Sequence, residues 1–313
     1  MLDWLTQVLE VVVALAAAPL FLGWISQCRA WLQNRSAPSL LQPYRAIRKL
    51  FHKDAVIAAE ASPLFRVAPY VVFGTMAVAA AVIPSMGTRL PFTDAADAIA
   101  LVGLFATARV FLSLAAMDVG TAFGTLGARR EMMVGFLAEP ALLMVIFVAS
   151  IITATTALPA ISERLALQEI GLYPSLAFTA VAFTMVLLAE NARIPVDNPA
   201  THLELTMIHE AMLLEYSARH LALMEWAAAL KLFNYACIGF ALFLPWGVSM
   251  GAGPGALLAS VPLLALKLML AGAGLALIET VSAKLRVFRA PEFLATAFLL
   301  AVLGLLVHLL LRA

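Results

Sequence analysis

The chain has 313 residues, 63% hydrophobic and 12% charged, with a mean hydropathy of +0.97 and a formal net charge of +1. Soluble domains carry about 25% charged and 45–50% apolar residues, so this composition excludes a soluble globular domain and points to an all-α polytopic membrane protein. Cys28 and Cys237 are isolated, with no CxxC and no second Cys or His at ligand spacing, which argues against a cluster, a zinc site or a disulfide framework.

The first apolar run is Trp4 to Trp24. No Lys or Arg precedes Arg29, and no small-residue cleavage site is clear, so an uncleaved first span with its N-terminus outside is expected. Residues 28–67 form a basic segment: Arg29, Arg35, Arg45, Arg48, Lys49, Lys53 and Arg66 against Asp54 and Glu60. Within it Leu40, Leu41, Tyr44, Ile47 and Phe51 share one helical face, and Arg45, Lys49, His52 and Lys53 the other. Pro43 sits in the first turn, where a helix tolerates it. The pattern predicts a short helix in the membrane interface with its basic face toward the headgroups. An ordinary cytosolic loop helix is the plainer alternative.

Further spans are expected at roughly 68–86, 98–118, 140–160, 174–192, 232–250, 256–279 and 293–312, eight in all. The odd-numbered connections hold fifteen basic residues, including Arg129, Arg130, Arg193, Arg219, Lys231, Lys284, Arg286 and Arg289, and the opposite side only Arg89, Arg164 and Arg312. Positive charge favours the cytoplasmic side, so the odd-numbered loops are expected inside and both termini outside. Gly120, Gly124 and Gly127 suggest a turn or close backbone approach, and Gly251, Gly253 and Gly255 an outside turn. Residues 1–313 are expected to form a single membrane domain.

An ionisable side chain within a span costs at least about 2.5–3.5 kcal/mol on insertion scales, so each is a functional candidate. Arg109 and Lys267 fall in mid-span, and Asp118, Glu131, Glu139, Glu190 and Glu279 fall near the cytoplasmic third. Carboxylates desolvated together titrate upward toward neutral pH and so move protons, which makes this set, together with Glu204 further along the chain, a candidate proton path. The plainer reading is buried ion pairs that fix helix packing.

The stretch from Glu190 to Lys231 gathers Glu190, Asp197, Glu204, Glu210, Glu215 and Glu225 against Arg193, Arg219 and Lys231. Pro195 and Pro199 end the fifth span. Glu204 and Glu215 are about three helical turns apart, as a shared face requires, and His202 and His209 share a face likewise. Apolar runs such as Ala211 to Leu214 interrupt the acids, so this cytoplasmic stretch is expected to be covered by a docked partner rather than to lie free as a loop.

The run Glu190-Asn191-Ala192-Arg193-Ile194-Pro195-Val196-Asp197-Asn198-Pro199-Ala200-Thr201-His202-Leu203-Glu204, followed by Leu214-Glu215-Tyr216-Ser217, resembles the family of respiratory complex I membrane subunit 1. Trp31-Leu32-Gln33-Asn34-Arg35, Leu41-Gln42-Pro43-Tyr44-Arg45 and Arg130-Glu131-Met132-Met133 with Ala138-Glu139-Pro140 support it. The branch it looks most like is the small membrane-anchor subunit of formate hydrogenlyase and hydrogenase-4, both group 4 nickel–iron hydrogenase complexes.

The resemblance implies an eight-span subunit without a redox centre of its own. It would cradle a peripheral arm of large and small hydrogenase-like subunits carrying iron–sulfur clusters and, in some complexes, a nickel–iron centre. Its buried acids would lead toward antiporter-like membrane subunits in a bacterial or archaeal cytoplasmic membrane. No nucleic-acid partner is expected. By position Glu190, Arg193, Asp197 and Glu204 match the motif at the fifth span, and Glu139 the acid of the fourth. Arg35, Arg45, Arg129, Arg130, Arg193, Asp197, Glu210 and Glu215 are then the candidate docking residues.

Ala200, Thr201 and His202 stand where complex I has further acids, which weakens a quinone site and favours the hydrogenase-type branch. Arg35-Ser36-Ala37-Pro38 lacks the Gly that relatives place before the Pro. Three alternatives stay open: a passive scaffold, a quinone-reactive subunit of a true complex I, and a stand-alone transporter. The last is disfavoured because no internal repeat is visible and only one span end is clearly broken by proline.

Overall fold

The computed structural model describes residues 2–88, 91–92, 97–167, 174–197, 207–248 and 254–312. Glu204 and the neighbouring Ala200, Thr201 and His202 lie outside these, as do Arg89, Gly251 and Gly253. Among the described residues the regular structure is helical, with a lone bridge between Asp97 and Ala157. In chain order the helices are α1 (Leu2–Leu32), α2 (Gln42–Phe51), α3 (Pro63–Val82), α4 (Ala98–Asp118), α5 (Ala122–Thr153), α6 (Leu158–Leu167), α7 (Pro174–Glu190), α8 (His209–Leu213), α9 (Ala218–Phe243), α10 (Pro254–Val281) and α11 (Ala290–Arg312). Seven of them are long and apolar enough to cross a membrane, and α7 is a shorter apolar helix of 17 residues. This is the expected all-α, multi-pass class.

Local chemistry sets several boundaries. The Ser62 side chain accepts from Leu64 N ahead of Pro63, which pairs an N-cap with a proline in the first turn. Asp97 caps α4 in the same way through Ile99 N at 2.8 Å. Gly120 has φ +71 at the turn from α4 to α5, where any other residue is strained. A Cβ at Gly124 would stand 2.6 Å from Ala116 O, and one at Gly127 2.8 Å from Ile208 O, so these glycines permit the expected close approach.

Two expected spans are displaced. Helix α5 starts at Ala122 and ends at Thr153, with Pro140 inside it, instead of running over 140–160. Helix α9 starts at Ala218 and ends at Phe243, instead of running over 232–250. The expected docking loop 190–231 therefore gives way at Ala218 to a helix that carries Lys231 into the bundle. In both cases charge near the helix start mimicked a membrane boundary, although Glu131 and Glu139 of α5 and Lys231 of α9 are paired inside the protein.

Helix α9 is central. It packs against α1, α2, α3 and α7, and 72% of its apolar window is buried, against 28% for α10 and α11 at the rim. Helices α3 and α4 pack together, α4 lies on α5, and α5, α7 and α11 complete the opposite side. The rim helices leave Leu266, Leu270, Leu277, Leu299, Leu306 and Leu310 exposed, as a lipid-facing surface requires.

Candidate functional site

Arg109 projects from α4 toward α5 and α7 and is the hub of the site. Its Nη1 donates to Glu139 Oε1, its Nη2 donates to Glu190 Oε1, and its Nε lies 3.6 Å from Glu131 Oε1. Gly135 on α5 makes the room: a Cβ there would overlap the guanidinium. Lys231 on α9 reaches the other oxygen of Glu190 at 3.0 Å. The buried Tyr235 ring stacks on Phe105 with centroids 4.9 Å apart. Three carboxylates thus meet two cations. With all five ionised the cluster carries one negative charge, which a single proton cancels. In a dry site an uncompensated charge is expensive.

Glu131 and Glu190 are buried, whereas the Glu139 side chain is 32% exposed. Glu139 stands on a face of α5 that exposes Phe136, Leu143 and Phe147. The cluster therefore has a buried side at α7 and α9 and an open side at α5.

A second group sits beyond the end of α7. Glu279 of α10 accepts from Arg193 at 3.1 Å and pairs with Arg29 of α1 at 3.5 Å. Burial pulls the Arg193 guanidinium down from its ordinary value, and Glu279 opposes that shift. Asp197 joins both sides of the segment 198–206. Its Oδ2 accepts from Ile208 N at 3.1 Å and His209 N at 3.3 Å, while Lys284 reaches Oδ1 at 3.2 Å. Tyr216 stacks on Phe65 with ring centroids 4.0 Å apart and donates to Phe65 O; burial pushes its hydroxyl up, which keeps it a donor.

A cavity of about 420 Å³ lies between the two groups. Arg109, Glu131, Glu190 and Lys231 contribute to its wall, as do Arg29, Arg193, His209, Glu210 and Glu225. Leu22, Val72, Met76, Leu112, Leu213 and Leu232 make much of the remainder apolar, and Pro43 and Ile47 of α2 close one side. Among the described residues no group of three or more His, Cys, Asp or Glu side chains is placed to hold a metal ion.

The structure joins Arg109, Glu131, Glu139 and Glu190 as the sequence suggested, although Glu131 and Glu139 share one helix. Glu279 belongs to the neighbouring group. Two expected path members stand apart. Asp118 accepts from Ser62 N at 2.8 Å and so ties the end of α4 to the start of α3. Lys267 donates to Leu244 O and Trp246 O at 2.5 Å, satisfying carbonyls that the end of α9 leaves open.

Of the expected docking residues, Arg193 and Asp197 are buried and turned inward, because each has an internal partner. Arg130 donates to Met207 O at 3.0 Å. Arg35, Arg45 and Arg129 are exposed, and Glu210 and Glu215 are half-buried; Glu204, an expected member of the proton path, lies outside the described residues.

Sequence reasoning missed Lys231, Arg29, Lys284 and Gly135 as parts of these groups. For Lys231 the available signal was a cation set between the apolar residues Trp226 to Leu230 and Leu232 to Phe233. It also missed Glu10, which is fully buried and takes Ser85 N, Ser85 Oγ and Met86 N at 2.7–3.0 Å on one oxygen.

The profile of the family described as NADH dehydrogenase matches residues 5–310. Hydrogenase-4 component C of Escherichia coli (strain K12) is 35% identical over 262 residues, covering 83% of this chain and 82% of its own. Formate hydrogenlyase subunit 4 of the same organism is 31% identical over 290 residues, covering 93% and 94%. Among solved structures, a chain of the membrane-bound sulfane sulfur reductase, described as an archaeal respiratory membrane complex, superposes with a TM-score of 0.82 over 98% of this chain and 99% of its own. At 20% identity that likeness speaks to the fold alone.

Proposed function

Because the chain belongs to the NADH dehydrogenase family, as a relative of complex I membrane subunit 1, we propose that it is the membrane-anchor and coupling subunit of a hydrogenase-type respiratory complex. The observation that carries this reading is the Arg109 cluster, whose three carboxylates outnumber its two cations by one. A charge change in a neighbouring redox arm shifts where that proton rests. Glu139, which faces one cation and is partly exposed, holds it and passes it out through the open face of α5, while Glu190, flanked by Arg109 and Lys231, stays ionised and supplies the charge that the proton balances. The occupant of that face is a membrane subunit of the antiporter-like kind, since a half-exposed acid within an apolar stripe needs a polar cover.

The arm itself carries the iron–sulfur clusters and docks at the end of the bundle that holds Arg29, Arg193 and Asp197. Exposed Arg35 and Arg129, with Glu210 and Glu215, are its contacts. By the excess of basic residues this end is cytoplasmic, and both termini lie on the other side.

A second reading has one observation in its favour. The cavity of about 420 Å³, apolar along most of its wall and charged at Glu190 and Arg193, suits a flat apolar molecule with a polar head, such as a quinone. Four nickel-ligating cysteines in the co-purifying large subunit favour the hydrogenase reading, and quinone-dependent turnover favours the other.

The test is Glu190→Gln in the assembled complex. The amide keeps the shape and the contact to Arg109 but removes the negative charge that the proton balances. Subunit composition stays complete, and proton translocation per electron transferred falls by at least the share carried through this subunit. Normal translocation with this variant leaves the chain a passive anchor.

A further inference from the structure

Helix α2 carries a set of basic side chains that the acid–base cluster leaves unused. Arg45, Arg48, Lys49 and His52 line an open hollow of about 320 Å³. All four are exposed. Among the described residues neither Arg45, Arg48 nor Lys49 is paired with a carboxylate. His52 Nδ1 donates to Arg48 O at 2.7 Å, which closes the last turn of the helix. A compact site walled by three unpaired cations and an imidazole selects for a multiply hydrogen-bonding anion, and a phosphate meets that description.

The placement of α2 decides which phosphate. The Tyr44 hydroxyl donates to Ala16 O of α1, and the backbone at Leu40 O sits so close to Gly23 that a Cβ there would collide with it. Ala16 and Gly23 belong to the stretch Val11–Trp24 of α1, which has no charged residue. Helix α2 therefore lies against the bilayer-crossing part of α1 instead of beyond its end. The same short segment exposes Leu40, Leu41 and Phe51. Basic side chains beside exposed apolar ones at this depth fit the headgroup and upper acyl chain of a lipid better than the surface of a soluble protein.

We propose that the hollow formed by Arg45, Arg48, Lys49 and His52 binds the headgroup phosphate of an acidic phospholipid. Arg45 then faces lipid and not the redox arm. Because Pro43 and Ile47 of the same helix line the large cavity, the bound lipid also holds the wall of that cavity in place. The inference rests on α2 alone and stands whichever reading of the cluster is right.

The experiment uses the intact complex, stripped of lipid in a mild detergent and titrated with phosphatidylglycerol, phosphatidylcholine or inorganic phosphate under native mass spectrometry. Phosphatidylglycerol is retained in preference to phosphatidylcholine, and its retention weakens as salt rises. Each basic residue near a membrane surface contributes about 1 kcal/mol, so the triple variant Arg45→Ser, Arg48→Ser, Lys49→Ser binds it roughly a hundredfold less tightly. The variant Arg289→Ser, an exposed charge elsewhere, binds it as the parent does.

Equal retention by the triple variant overturns the proposal, as do equal binding of phosphatidylcholine and indifference of the parent to salt. Saturation by inorganic phosphate with no gain from the lipid also overturns it. A triple variant that sheds soluble subunits while keeping phosphatidylglycerol makes the hollow a protein-docking surface instead.

Discussion

Arg109→Met is expected to destabilise the chain by about 3–5 kcal/mol and to end proton translocation by its complex. The figure is that for breaking a buried ion pair and leaving a charge without its partner. Here one guanidinium serves Glu131, Glu139 and Glu190 from three directions. Methionine fills the space but leaves Lys231 as the remaining cation within reach of these acids. The acids then either repel one another or take up protons permanently, and in both cases the exchangeable proton is gone. A thermal melt of the purified complex reads the first effect, and a pH-sensitive dye inside proteoliposomes reads the second. Arg109→Lys restores the charge without the planar fork, so it recovers part of the stability and little of the translocation. A melt unchanged by Arg109→Met would mean that the five-residue cluster is not held together by this residue.

Asp197→Ala is expected to leave the chain in the membrane but strip it of its redox arm. The carboxylate fastens the residues that flank the segment 198–206, through Ile208 N, His209 N and Lys284. Each buried donor left without an acceptor costs about 1–3 kcal/mol. That is enough to release the connection between α7 and α8, and too local to unfold a bundle whose helices pack elsewhere. Affinity purification through the membrane chain, followed by a count of co-purifying soluble subunits, gives the outcome. Lys284→Met, which removes the contact to Oδ1 and leaves the two backbone bonds to Oδ2, has a smaller effect.

The fold was legible in the sequence because apolar runs of about 20 residues have few other uses. The site was legible in part. Arg109, Glu139 and Glu190 declared themselves by the cost of a charge inside a span. Periodicity cannot show which charges meet across helices, so Asp118 was grouped with acids it does not join and Lys231 was left outside. Lys267 misled for a related reason: a half-buried lysine serves as well to satisfy the open carbonyls of Leu244 and Trp246 as to relay protons. Arg193 and Asp197 read as surface because they follow a proline-broken span, and their internal partners Glu279 and Lys284 lie more than 80 residues away in sequence. Gly135 carried no signal at all, since only the packed structure shows that an arginine needs its missing side chain.

The central claim is that Glu139 is the outlet of a proton-exchanging cluster and not merely one arm of a structural ion pair. The most direct measurement is the number of protons translocated per electron pair by the assembled complex carrying Glu139→Gln. Arg109 keeps Glu131 and Glu190, and position 139 is partly exposed, so assembly and electron transfer persist. The account predicts that the ratio falls by at least the share carried through this subunit while subunit content and melting temperature stay those of the parent. An unchanged ratio in a fully assembled Glu139→Gln complex would contradict it.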